Sequence, residues 1–80
     1  MKIGYAYIPP GTLISDSRGH PVFGSIERKP EATLMFLDLD PGATWPHPCF
    51  YILVPADGES PVKVDHPWPP SPALELRPCR

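Results

Sequence analysis

The chain has 80 residues, 41% of them hydrophobic and 20% charged, with 14 prolines and a formal charge of −2. That is the composition of one small globular domain, 1–80, with little room for a catalytic cleft and the core to support it. The weak acidity argues against a phosphate-binding footprint, and no run approaches the ~20 apolar residues that cross a bilayer.

Lys2 to Ile8 alternates: Ile3, Tyr5 and Tyr7 share one face and Gly4 and Ala6 the other, the period of a strand. Pro9, Pro10 and Gly11 end it, too early for the apolar core of a signal peptide, so a soluble cytoplasmic protein is expected. Thr12 to Ile14 reads as the start of a second strand. Ser15 to His20 reads as a polar turn with Gly19 at positive φ. Pro21 to Glu27 reads as a returning strand with a bulge at Gly24.

Pro30 and Glu31 could open a helix, but Thr33 to Leu39 is a short apolar run stopped by Asp40-Pro41-Gly42, and a strand is the better reading. On that reading Met35, Leu37 and Leu39 are buried, while Asp38 and Asp40 form a wet face. Cys49 to Val54 is apolar on both faces and is expected to lie centrally in a sheet. The Asp57-Gly58 pair then turns it into the alternating Pro61 to Asp65, a hairpin. Residues 66–73 form a proline-rich strap, and Ala73 to Arg77 alternates once more, as a last strand or a single helical turn. These elements predict an all-β fold: a small antiparallel barrel or compact sandwich of about five to seven short strands with proline-rich loops.

No residue set carries a catalytic signature. Ser15, Asp16, Ser17 and His20 resemble pieces of a triad, but polar turn chemistry explains them, and no enzyme is predicted. His47, Cys49, His66 and Cys79 are zinc-ligand types, yet their spacing is poor for a structural site. No metal centre or cofactor is therefore expected; a zinc-stabilised domain is kept as an alternative. A disulfide between Cys49 and Cys79 conflicts with a reducing compartment.

The aromatic residues offer more. Trp45 and Trp68 sit in proline-flanked loops, and Tyr5 and Tyr7 share a strand face; with Pro69 and Pro70 they make a low-entropy contact surface. The sequence thus points to a non-enzymatic interaction or assembly module, an accessory subunit or a phage-type or regulatory factor. Its partner would be another protein or a second copy, with no membrane role. A single-stranded nucleic-acid binder on a small barrel is the alternative, and it requires Lys2, Arg18, Arg28, Lys29 and Lys63 to gather beside Tyr5 and Tyr7. If the strap folds back, Trp68 is buried near Phe50 or Tyr51, and Leu74 and Leu76 close the same core.

Overall fold

The computed structural model describes residues 1–23 and 31–78. The alternating segments form one antiparallel sheet of five strands: β1 (Lys2–Ile8), β2 (Ala32–Asp38), β3 (Cys49–Pro55), β4 (Val62–His66) and β5 (Arg77–Pro78). Their order is β4-β3-β2-β1-β5. The described residues are all-β, and the sheet is open, with β4 and β5 as its edges; closure into a barrel is not observed among them. No described helix is long and apolar enough to cross a membrane.

The β1, β2 and β3 runs and the β3–β4 hairpin fall where alternation and the Asp57-Gly58 pair place them, with Gly58 at φ 85°. The expected strand at Thr12 to Ile14 is reduced to an isolated bridge between Ser15 and Pro21 and one bond from Val22 N–H to the Ile14 carbonyl. Pro21 has no N–H with which to extend a ladder. The rest of the predicted return strand, with Gly24, lies outside the described residues, as do Arg28, Lys29, Pro30 and Cys79. The last alternating run shrinks to the two residues of β5. β3 is flanked on both sides, but the middle strand is β2.

Register sorts the side chains into rows across the sheet. One face stacks Gly4, Phe36, Tyr51 and Val64 in one row and Ala6, Leu34, Leu53 and Val62 in the next. Ile14, Val22 and Phe23 cover this inner face, joined by the half-buried Leu74 and Leu76. Tyr51 and Leu34 are fully buried at the centre, and Tyr51 meets both Phe36 and Phe23 edge-to-face, with centroids 5.1 and 6.2 Å apart. Gly4 allows a close approach here: a Cβ would lie 3.1 Å from Leu76 Cβ and 3.2 Å from the Arg77 carbonyl oxygen, so the cover would have to give by a few tenths of an ångström. Small residues on β1 thus let the covering chain approach the sheet.

Segment 67–71 runs beside 14–17 and ties down the cover. Ser17 N–H donates to the Pro69 carbonyl at 2.8 Å, Ser71 N–H to the Ser15 carbonyl at 2.9 Å, and His47 N–H to the Pro67 carbonyl at 3.0 Å. Proline brings an acceptor with no donor of its own to satisfy, which suits a strap that runs over a core without a ladder. Tyr51 Oη–H adds a bond of 2.7 Å to the Trp68 carbonyl. Trp68 is therefore held chiefly by its backbone. Its ring is half-buried rather than enclosed, with the Arg18 guanidinium 5.0 Å above it.

Candidate functional site: a polar row on the inner face and an apolar outer face

The covered face is not apolar throughout. At one end the register aligns Lys2, Asp38, Cys49 and His66 across four adjacent strands. Two flanking loops add Asp16 and His47. Asp16, Asp38 and His47 are all buried, and Cys49 is fully so. The expectation that Asp38 lies on a wet face is thus overturned. Asp38 shares the parity of Leu34 and Phe36, which face the covering chain, whereas Leu39 is exposed and Met35 and Leu37 are only half-buried. Asp40 is exposed, as expected.

Asp38 is held from two sides. Its Oδ1 accepts from Asp40 N–H at 2.9 Å, and its Oδ2 lies 3.0 Å from His47 Nε2. The other ring nitrogen of His47, Nδ1, is 2.8 Å from the Trp45 carbonyl. A carbonyl oxygen and a carboxylate are both acceptors, so a cation must satisfy them. The Trp45 carbonyl bond and the Asp38 carboxylate accordingly raise the His47 pKa above its ordinary value, against the opposing effect of burial. Beside this pair, burial and the Asp38 charge push the Cys49 thiol up to about 11. Cys49 is therefore a thiol at neutral pH, and neither His47 nitrogen is free to activate it. The arrangement holds a cation; it does not prime a nucleophile.

Asp16 organises the second pair. Its Oδ1 accepts from Arg18 N–H at 2.8 Å and His20 N–H at 2.9 Å, and its Oδ2 accepts from His66 Nε2–H at 2.7 Å. Burial raises the Asp16 pKa, but the His66 bond and the backbone bonds from His20 and Arg18 outweigh it, leaving the carboxyl at about 2. Ser15 to His20 is thus a turn built on Asp16, with Gly19 at φ 84°, and the His20 side chain is exposed. The triad-like residues do not converge on a hydroxyl.

Of the zinc-type residues, His47 and Cys49 come together, but with Asp38 as the third donor: these three ligand atoms all lie within 4.8 Å of one another. His66 is committed to Asp16 instead, and Cys79 lies outside the described residues. Sequence spacing missed Asp38 because its partner stands nine residues away across a loop. Its parity with Phe36 gives no signal by itself, because both faces of β2 hold apolar residues.

The opposite face is exposed. Ile3, Leu37 and Phe50 form one row, Tyr5, Met35 and Ile52 the next, and Tyr7, Thr33 and Val54 a third. Tyr7 is 60% exposed, while Met35, Leu37, Phe50 and Ile52 are half-buried in the centre of the sheet. Tyr7 Oη–H donates to the Glu31 carboxylate, which raises the Tyr7 pKa. Of the other predicted contact residues, Trp45 is 60% exposed in the loop before β3, and Pro69 and Pro70 are half-buried in the strap. Of the described basic residues, Arg77 pairs with Tyr5 in register, whereas Arg18 stacks on Trp68 and Lys63 lies on edge strand β4, 5.0 Å from the Phe50 ring; Arg28 and Lys29 lie outside the described residues.

No protein-family model matches the chain, and no curated protein or solved structure is significantly similar to it. Function is therefore argued from the two faces of the sheet.

Proposed function

We propose that the protein is a non-enzymatic interaction module whose contact surface is the outer face of the sheet, and that the occupant of that face is a second copy of the chain. The supporting observation is the apolar patch of Ile3, Tyr5, Met35, Leu37, Phe50 and Ile52 on β1 to β3, which no described segment covers and which Arg77, Lys63 and Asp65 flank on the two edge strands. Monomeric proteins rarely leave a contiguous apolar area of several hundred Å² to water.

The dimensions favour a second sheet. Strands about 4.8 Å apart and rising about 3.3 Å per residue give the three apolar strands a face of roughly 14 by 23 Å. Two such faces packed together bury on the order of 650 Å², the size of a weak, reversible contact. Face-to-face packing of two twisted sheets is the geometry of a sandwich, here completed between chains rather than within one. Trp45, exposed on a loop at the end of the sheet, would stand at the rim.

Sedimentation velocity over a range of protein concentrations tests the reading. A reversible monomer–dimer equilibrium, lost in Ile52→Lys without loss of folding, is expected. A chain that stays monomeric at the highest soluble concentration, or a dimer indifferent to Ile52→Lys, overturns it.

A further inference from the structure

The geometry points to a second, independent function of the polar row: Asp38, His47 and Cys49 form a binding site for a divalent transition-metal ion of borderline softness, with zinc(II) the best match. Three features carry this. The donors are one carboxylate oxygen, one imidazole nitrogen and one sulfur, drawn from the end of β2, the loop before β3 and the first residue of β3, and they lie within 4.8 Å of one another. Their supporting hydrogen bonds leave His47 Nε2 and Asp38 Oδ2 paired only with each other. The Trp45 carbonyl takes Nδ1–H of His47 and aims Nε2 inward, while Asp40 N–H takes Oδ1 of Asp38 and leaves Oδ2 facing that same Nε2. This is the outer-shell arrangement that fixes ring orientation and carboxylate direction at metal sites. Finally, Nε2 and Oδ2 stand 3.0 Å apart with a cation required between two acceptors. A proton meets that need in the metal-free protein.

The dimensions fit. Bonds of about 2.0–2.1 Å to nitrogen and oxygen and about 2.3 Å to sulfur set tetrahedral donor–donor separations of roughly 3.3 to 3.6 Å. The His47–Asp38 pair must open by a few tenths of an ångström and the sulfur must close in, within reach of small side-chain rotations. The donor set selects the ion: one thiolate excludes calcium and magnesium, and the carboxylate disfavours copper(I). Binding displaces the thiol proton of Cys49 and the Nε2 proton of His47 to solvent. His66 is engaged with Asp16, so the fourth position falls to water. Entry is open on two sides: Asp38 lines a groove with Lys2 and Ser17, and His47 lines a shallow one with Pro46 and Pro67.

Cobalt(II) titration of chelator-stripped protein carrying Cys79→Ser tests the site, because Cys49 is then the only thiol in the chain. A thiolate-to-cobalt charge-transfer band that saturates at one equivalent and is bleached by zinc is expected. Asp38→Asn, which keeps the shape of the side chain but removes a direct ligand, should weaken cobalt binding by at least about 100-fold, more than loss of an outer-shell partner costs. Absence of the band with cobalt in excess, or a band unaffected by Asp38→Asn, overturns the assignment. Neither result depends on the oligomeric state.

Discussion

The two faces of this one sheet both carry large apolar residues, yet the described chain covers only one of them. The covered face carries Ile8, Leu34, Phe36, Tyr51 and Leu53, with small residues on β1 and a row of ionisable groups at one end, whereas the other face carries Ile3, Tyr5, Leu37, Phe50 and Ile52. Apolar content alone therefore did not decide which face the rest of the chain would cover. Close approach did. The covering layer has no regular ladder, so its backbone must find acceptors and donors on the sheet and along the strap, and small side chains on β1 make the room.

The sharpest way to break this comparison is Asp16→Ala. It removes the acceptor for two backbone N–H groups and for His66 from a fully buried position, and should cost about 3–5 kcal/mol. An 80-residue domain has about 4–12 kcal/mol in total, so urea unfolding should show a large loss or a chain already unfolded. A cost below about 1 kcal/mol would mean the polar end is incidental to the cover.

Acid should act on the same group more gently. The Asp16 pKa is lowered to about 2 in the folded protein, so its contribution is complete above the ordinary carboxylate pKa and disappears as pH falls from about 4 towards 2. Denaturant midpoints across that window should fall by the equivalent of roughly 2 kcal/mol, and Asp16→Asn should flatten that part of the profile. Groups that face Asp16 are His66, His20 and Arg18, and none is a carboxylate that would mask the effect.

Next in size is Trp68→Ala. A fully buried tryptophan would cost about 3–5 kcal/mol on truncation. This ring is half-buried beneath Arg18, and the backbone carbonyl that receives Tyr51 Oη–H survives the substitution, so about 1–2 kcal/mol is expected. In Trp45→Phe protein, Trp68 emission should lie between that of buried and free indole. Smallest of all should be Tyr5→Lys on the open face. Thermal unfolding of the dilute protein should change by no more than about 0.5 kcal/mol. A large destabilisation of the monomer would show that the outer face is already covered within the chain.

Much of the sheet was legible because its signals are local. Period-two alternation marks Lys2 to Ile8, and the Asp57-Gly58 pair marks the β3–β4 hairpin. The inward face was not legible, because both faces of β2 and β3 hold apolar residues, and parity cannot choose between them. Thr12 to Ile14 and Ala73 to Leu76 look like strands but lie in the cover, where local bonds such as Thr12 N–H to the Pro9 carbonyl and Leu74 N–H to the Ser71 carbonyl replace a ladder. The candidate site was half legible. His47 and Cys49 stand out by residue type, whereas Asp16 and His66 are 50 residues apart and leave no local trace of their pairing.

That last separation has a consequence in time. β1, β2 and the β3–β4 hairpin can all form before residue 67 leaves the ribosome, but the acceptors at Pro67, Trp68 and Pro69 are not yet there. Until they emerge, Tyr51 has no partner for its hydroxyl and Ser17 none for its N–H, while the apolar outer face is already complete. Order comes late in this chain, and long-range closure of this kind is slow. A chain truncated after His66 lacks these acceptors and is expected to associate more readily than the full sequence.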